Sequence, residues 1–168
     1  MEKLLIFLFS ILISFNSYGD SSDETICVET DAQERDGIYY LPNETKPFTG
    51  KNLCKYENGQ IESEGNFKNG KADGKWTGWH ENGQIEAEGN FKDGELDGFT
   101  PYSYYENGQI ESEENYKDNN KDGKWTWWYE NGQIKWEINY KDGKEDGKLT
   151  WWHENGQINL EKNYKDGK

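Results

Sequence analysis

The stretch Glu-Asn-Gly-Gln-Ile at residues 57–61 decides the fold, because the same five residues return four more times along the chain. The further copies occupy residues 81–85, 106–110, 130–134 and 154–158. Successive copies start 24 or 25 residues apart. A fixed period of that length is typical of repeat arrays, in which each unit packs against its neighbours. We therefore expect a repeat array from about residue 36 onward.

Each copy carries the dipeptide Asn-Gly, the strongest local signal for a β-hairpin with a two-residue type I′ turn. Both central residues of that turn have positive φ, which Gly adopts freely and Asn tolerates. The cross-strand pairs predicted for the fourth copy are Tyr129 with Ile134, Trp127 with Trp136 and Trp125 with Ile138. All of these residues are apolar or aromatic, and most of the alternating pairs are polar. Each copy therefore predicts an antiparallel hairpin with one apolar face.

Alignment of the repeats on this turn produces columns of identical or similar residues. The apolar columns are Ile61, Ile85, Ile110, Ile134 and Ile158, and Phe67, Phe91, Tyr116, Tyr140 and Tyr164. These columns alternate in phase onto one face, which we expect to be the core, and columns of Glu and Asn fall on the other face. The predicted fold is all-β, an elongated, twisted antiparallel meander of β-hairpins that repeat about every 24 residues.

Residues 1–19 have the features of a signal peptide: a short charged start, an apolar run from Leu4 to Phe15, and then small residues. The run is shorter than a helix needs to span a bilayer, and Ser17 and Gly19 stand where a signal peptidase cleaves. We expect cleavage after Gly19 and export to the periplasm or the cell surface. An uncleaved N-terminal anchor is the alternative.

The remaining chain divides by composition and period. Residues 20–35 are polar and lie outside the repeat, so we expect a flexible lead-in. Residues 36–56 are predicted to form an N-terminal cap and the first strand of the array, because Thr49-Gly50 replaces the Asp-Gly of later repeats and terminal repeats are usually irregular. Residues 57–168 are predicted to be hairpin repeats.

The charge balance limits the partners that the protein can bind. The chain has 33 acidic and 19 basic residues, for a net charge of −14. A chain of this charge repels nucleic acid and anionic lipid headgroups. We therefore expect a basic or neutral protein partner, and neither nucleic acid nor an anionic membrane.

Two cysteines, Cys27 and Cys54, are present. In an exported protein they can form a disulfide, which would contribute roughly 3 kcal/mol by closing the intervening loop. Two unpaired thiols are the alternative that the sequence leaves open. No Cys-x-x-Cys spacing is present, so a zinc site is not expected.

The histidines do not have the pattern of a catalytic site. His80 and His153 occupy the repeat position that holds Tyr56, Tyr105 and Tyr129 in the other copies. A position that accepts His or Tyr is a packing position, and no nucleophile is unique to one repeat. We expect neither enzymatic activity nor a cofactor.

A calcium loop is suggested by Asp118, Asn120, Asp122 and Gly123, which match the first ligand positions of an EF-hand. The final ligand should be Glu, and Tyr129 stands there instead. Turn formation explains these residues better, so no metal site is predicted.

One aromatic position recurs on the predicted polar face, three residues before each turn. The residues are Trp79, Tyr104, Trp128 and Trp152, which we call the aromatic ladder. Glu86 and Glu111 lie beside them in the predicted register. Four exposed aromatic residues in a row are typical of a binding surface, and we expect these six residues to bind the partner. Cross-strand pairing that only stabilises the strands is the alternative.

The sequence resembles the variant MORN repeats of bacterial proteins called YwqK-family antitoxins. The resemblance covers residues 36–168 and depends on Tyr-Tyr-Leu-Pro at 39–42, Pro-Phe-Thr-Gly at 47–50 and the repeated phrase. It implies a non-catalytic protein-interaction module, of the kind an antitoxin or immunity protein uses to cover a toxin. A second hypothesis is a cell-surface module that binds glycans or quaternary amines through its aromatic residues.

Overall fold

The computed structural model describes residues 24–168, so the predicted signal peptide lies outside the described residues. The described part contains seventeen strands and one short helix. In chain order they are β1 (Thr25–Ile26), α1 (Val28–Asp31), β2 (Gln33–Arg35), β3 (Ile38–Tyr40), β4 (Gly50–Lys55), β5 (Ile61–Lys68), β6 (Lys71–Ala72), β7 (Gly74–Trp79), β8 (Ile85–Lys92), β9 (Glu95–Tyr104), β10 (Ile110–Glu113), β11 (Tyr116–Lys117), β12 (Asn120–Lys121), β13 (Gly123–Trp128), β14 (Ile134–Lys141), β15 (Lys144–Glu145), β16 (Gly147–Trp152) and β17 (Ile158–Tyr164).

Fifteen of these strands form one sheet, and its main path runs in chain order from β4 to β17. The pairs along that path are antiparallel, as expected for a meander of hairpins. At the N-terminal edge, β1 adds to β4 in the parallel direction. Strands β2 and β3 form a separate hairpin. The prediction of an all-β repeat fold is confirmed.

The Glu-Asn-Gly-Gln turn is not the predicted type I′ turn. In the fourth copy the Gly132 amide donates to the Tyr129 carbonyl at 2.8 Å, so that a type I turn precedes Gly132. Gly132 has φ 81°, whereas Asn131 is not among the residues with positive φ. This three-residue loop moves the pairing next to the turn by one residue, and a bulge between Trp127 and Trp128 returns the strands to the predicted register.

The shifted register changes one of the three predicted pairs in that hairpin. Trp127 with Trp136 and Trp125 with Ile138 are confirmed. Ile134, however, lies opposite Trp128 and not opposite Tyr129. The prediction was wrong at this pair because Asn-Gly serves both turn types, and the longer loop adds one residue to the connection.

Type I′ turns occur instead at the opposite edge of the sheet, between successive hairpin strands. At Asp142 and Gly143 both residues have positive φ, 48° and 80°, and the flanking lysines Lys141 and Lys144 pair across the turn. The same geometry recurs at Asn69-Gly70, Asp93-Gly94 and Asp118-Asn119. Each repeat therefore has two turns of different type, one at each edge of the sheet.

The main buried cluster lies at the N-terminal end of the array. Val28, Phe48 and Phe67 are its buried members, and partly buried residues pack around them: Ile26, Ala32, Tyr39, Leu41, Ala72 and Trp76. Ile26, Val28 and Ala32, from the segment for which a flexible lead-in is predicted, thus pack in the cap. The Val28 amide donates to the Asn52 side chain at 2.9 Å, and Cys27 forms a disulfide with Cys54.

A tryptophan packed between two aromatic rings is the second element of the core. Trp125 lies between Tyr116 and Tyr140, with ring centroids 5.1 Å from each, and its indole nitrogen donates to the Asn115 carbonyl at 2.8 Å. In the same repeat position, Trp76 lies between Phe67 and Phe91. We call this arrangement the Trp wedge.

The isoleucine column does not form the core that the sequence analysis predicted. Ile158 is 57% exposed, and Ile61, Ile85, Ile110 and Ile134 are only half-buried. Among residues 24–168 the buried isoleucine is Ile138, which lies opposite Trp125. Because the Ile column sits next to the bulge, it pairs with the aromatic ladder and lies away from the Trp wedge.

The Trp76 ring rests on Gly65, where there is no room for a side chain. A Cβ atom at Gly65 would lie 2.2 Å from the indole ring, and one at Gly78 would have no neighbour closer than 3.9 Å. Gly65→Ala should therefore lower the free energy of unfolding by about 1–3 kcal/mol, through displacement of Trp76. Gly78→Ala should leave it unchanged or raise it by about 0.5 kcal/mol. Urea denaturation measures both, and equal stability of the two variants would contradict this packing.

Candidate functional site

The Glu-Asn-Gly-Gln turns are joined to one another along one edge of the sheet. The Asn58 side chain donates to the carbonyl of Glu81 in the next repeat at 3.0 Å. Asn107 and Asn131 make the same bond to Glu130 and Glu154, each at 3.1 Å. In addition, the Asn131 carboxamide oxygen accepts from the Gln133 amide of its own turn at 3.0 Å. These bonds fix the turns in a regular row.

The row of turns carries negative charge only. Its loops, residues 57–60, 81–84, 106–109, 130–133 and 154–157, contain five glutamates and no lysine or arginine. These glutamates, which we call the acidic edge, are all exposed: Glu57, Glu81, Glu106, Glu130 and Glu154. Adjacent glutamates in the row are about 9.5 Å apart, because each repeat adds two strands to the sheet.

The opposite edge has a different charge. Its turns, residues 68–71, 92–95, 117–120, 141–144 and 165–168, contain eight lysines and five acidic residues. Charge is therefore segregated between the two edges. The strong negative potential lies at the Glu-Asn-Gly-Gln edge, where a basic partner would be attracted.

The aromatic ladder lies next to the acidic edge but differs from the prediction. Its four members are half-buried, and Trp79, Tyr104, Trp128 and Trp152 each lie opposite an isoleucine. None of the ring contacts in the described part joins two ladder residues. Two strand spacings separate successive members, which exceeds the distance of an aromatic contact. The ladder is therefore a row of separate aromatic residues.

The two glutamates predicted beside the ladder differ in environment. Glu86 is exposed, whereas Glu111 is half-buried and accepts a hydrogen bond from Ser103 at 3.4 Å. Each is the residue without a cross-strand partner at the bulge after the Glu-Asn-Gly-Gln turn. The structure thus places them close to the acidic edge.

Tyrosines hold the ladder in place, a role that the sequence analysis did not identify. The hydroxyl groups of Tyr56, Tyr105 and Tyr129 donate to the carbonyls of the next ladder residues, Trp79, Trp128 and Trp152, at 2.6–2.8 Å. Burial raises the pKa of Tyr56 and Tyr105, and nearby glutamates raise it further. The recurrence of Tyr at one repeat position, at residues 56, 105 and 129, was the available signal.

The two histidines at this repeat position behave differently from the tyrosines. His80 and His153 are exposed, so the predicted packing role does not apply to them. Within residues 24–168, no group of three or more His, Cys, Asp or Glu side chains is arranged to hold a metal ion.

The Glu column on the polar face is neutralised by lysines. The cross-strand ion pairs are Lys51 with Glu64 at 2.6 Å, Lys75 with Glu88 at 2.5 Å, Lys124 with Glu137 at 2.7 Å, and Lys148 with Glu161. Thr100 replaces the lysine in the third repeat. These four glutamates are therefore paired within the sheet, whereas the glutamates of the acidic edge form no ion pair in the described residues.

The most exposed large apolar side chains lie outside the ladder. Leu96 and Phe99 in the third repeat are 42% and 40% exposed, and Trp151 and Ile158 near the C-terminal end are 42% and 57% exposed. Trp151 borders a groove of about 440 Å³ with Trp136 and Tyr140. Trp136 in turn stacks on Trp127, with ring centroids 4.1 Å apart.

No helix in residues 24–168 is long and apolar enough to cross a membrane.

Comparison with protein families identifies the repeats. A family model described as MORN repeat variant matches five segments, residues 48–69, 72–93, 102–118, 121–142 and 145–166. No curated protein matches the sequence. The matched segments follow the five hairpins, and the third is the shortest, where the array is irregular.

Two solved structures show distant similarity to this chain. One match is a chain in the crystal structure of accessory secretory protein 1, 2 and 3 in Streptococcus pneumoniae, with 12% identity, a TM-score of 0.30, and coverage of 80% of this chain and 22% of that one. Another is a chain in the GtfA/B complex bound to UDP and GlcNAc, with 7% identity, a TM-score of 0.25, and coverage of 90% and 29%. This chain thus spans less than a third of either solved chain.

Proposed function

Because the chain belongs to the MORN repeat variant family, we propose that it is a non-catalytic module that binds a basic protein through its acidic edge. Repeats of this family are typically protein- or membrane-binding modules. A protein is the better partner here, since a net charge of −14 opposes approach to anionic lipid headgroups.

The observation that carries the proposal is the fixed row of five turn glutamates. Hydrogen bonds between repeats hold these turns in place, so few degrees of freedom are lost when a partner binds. A row of like charges accelerates association with an oppositely charged surface and fixes its orientation. The half-buried ladder residues alongside would supply apolar contact area.

An antitoxin or immunity function is the more specific form of this proposal. Its support is the resemblance to YwqK-family antitoxins together with a surface suited to covering a basic toxin. Export is part of the proposal, because a disulfide such as Cys27–Cys54 persists in oxidising compartments.

Charge reversal at the acidic edge tests the proposal. With the purified protein as bait, the partner recovered at low salt should be lost at high salt, because exposed charges are screened. Glu106→Lys with Glu130→Lys should reduce recovery about tenfold or more. The control variant, Glu29→Lys with Glu34→Lys, has the same change in net charge. Both residues are exposed and lie outside the acidic edge, so this variant should bind the partner normally. Equal loss in both pairs would show that only net charge matters and would contradict a specific edge.

Glycan binding is the second candidate, favoured by the stacked Trp127–Trp136 pair and the exposed Trp151. Flat, exposed aromatic rings suit stacking against a sugar. Binding of this kind would hardly respond to salt and would be lost in Trp151→Ala. The same salt series therefore separates the two candidates.

A further inference from the structure

The third repeat lacks its Trp wedge. Trp76 and Trp125 each fill the space between aromatic residues of successive repeats. Counted back from Ile110, the equivalent residue in the third repeat is Pro101, just as Trp76 stands nine positions before Ile85. In the pairing with β8, Phe99 lies opposite Gly89, the position where Trp76 rests on Gly65, but Phe99 is 40% exposed. A proline ring is much smaller than an indole and has no N–H donor. The space between Phe91 and Tyr116 therefore contains no tryptophan side chain.

The links between repeats are also interrupted at this place. In the neighbouring repeats the glycine amide of each type I′ turn donates to the preceding repeat: Gly94 to Ala72 at 2.9 Å, and Gly143 to Lys121 at 2.8 Å. Within the described residues, no such bond joins the Asn119 amide to the Leu96 carbonyl. Strand β10 stops at Glu113. Beyond it, the pair Tyr116 with Phe99 alone continues the strand pairing with β9. The two parts of the sheet are therefore joined by fewer strand pairs at this edge.

The result is an open groove of about 690 Å³, which we call the third-repeat groove. Leu96, Phe99, Pro101 and Tyr116 supply its apolar lining. Leu96 and Phe99 are among the most exposed apolar residues of the described chain, at 42% and 40%. A groove of this volume has room for a large side chain and the adjoining backbone.

The rim of the groove is acidic. Glu95 and Asp118 line it, and neither forms an ion pair within residues 24–168. Asp97 lies nearby and has one lysine neighbour, Lys117, at 4.0 Å. A ligand that enters the groove thus meets apolar walls and uncompensated carboxylates, which favour an apolar group flanked by cations.

We propose that the third-repeat groove binds an extended segment of a partner protein, in which a Trp or Phe flanked by Lys or Arg takes the place of the missing wedge. The aromatic side chain would pack against Phe99 and Tyr116 as Trp125 packs against Tyr116. The flanking cations would lie near Glu95 and Asp118. A second copy of this chain is a poor occupant, because its net charge of −14 matches the sign of the rim. The inference rests on the proposed protein-binding function but uses a different surface from the acidic edge.

Short peptides test the groove without the natural partner. The probe is acetyl-Lys-Gly-Trp-Gly-Lys-amide, titrated into the ¹⁵N-labelled protein and followed by amide chemical shifts. Shifts should be largest for residues 95–101 and 116–119. For peptides with Ala in place of Trp, or with Glu in place of both Lys, the affinity should fall by about tenfold or more.

Two variants remove the groove in different ways. Pro101→Trp restores the wedge from within and should abolish peptide binding, whereas Pro101→Ala leaves the slot open and should bind as the unaltered protein does. Phe99→Lys removes an exposed apolar wall and adds a repelling charge, so its affinity should fall about tenfold or more. Ile158→Lys makes the same type of change at an exposed residue of β17 and should have no effect.

Several outcomes of these experiments would contradict the inference. No shift at millimolar peptide, tight binding to Pro101→Trp that folds normally, or shifts centred on Trp151 would each contradict it. Shifts in residues 95–101 that depend on protein concentration alone would show that a second copy fills the groove. The variant Glu106→Lys with Glu130→Lys should still bind the peptide. A negative result for the acidic-edge proposal can therefore be distinguished from a negative result for the groove proposal.

Discussion

Trp125→Ala is expected to lower the free energy of unfolding by about 3–5 kcal/mol. Trp125 is only 4% exposed and packs between Tyr116 and Tyr140. Its removal leaves a cavity and deprives the Asn115 carbonyl of its indole donor. The ammonium group of Lys121, 3.9 Å from the centre of the Trp125 ring, also loses its partner. Urea denaturation followed by far-UV circular dichroism measures the change.

Trp151→Ala is the matched control, since it removes the same side chain from a strand of the same array. Trp151 is 42% exposed, so its loss should cost less than about 1 kcal/mol. Because stability in a repeat array is shared mainly with adjacent units, hydrogen exchange in Trp125→Ala should rise most in β10 to β16. Equal destabilisation by both substitutions would mean that the Trp wedge is not the core of this part of the chain.

Reduction of the Cys27–Cys54 disulfide is expected to destabilise the cap by about 3–4 kcal/mol, the loop-closure value for such a separation. The two cysteines are 27 residues apart in sequence, and the bond ties β1 and α1 to the first hairpin. Without it, the short segment 24–35 must be held by burial of Val28 and by the Asn52 hydrogen bond. We therefore expect β1 and α1 to detach first.

Hydrogen exchange with and without dithiothreitol measures this effect. Amides of residues 25–32 should lose protection on reduction, and those of β13 to β17 should not change. The control is Cys27→Ala with Cys54→Ala, in which dithiothreitol should have no further effect. If all repeats lose protection together, the cap and the array are a single cooperative unit, and the local interpretation is wrong.

The sequence alone was sufficient for the repeat, its length and its antiparallel pairing. These properties depend on local chemistry: Asn-Gly reverses the chain, and alternation of apolar residues at a period of two sets the register within a strand. The pairs Trp127 with Trp136 and Trp125 with Ile138 were predictable for that reason. The family also follows from the repeat, because its pattern recurs within the chain.

The tertiary structure alone decided which residues are buried and which of them a partner can reach. Asn-Gly is compatible with two turn types, and here Asn131 bonds to the neighbouring turn at Glu154 without adopting positive φ. The extra loop residue moved Ile134 opposite Trp128. Trp125 is buried because Tyr116 and Tyr140 pack on it. Burial of a side chain in a repeat array depends on the adjacent repeat, so Pro101 opens a groove only because its neighbours have tryptophan. Such a dependence between repeats has no signature within a single hairpin.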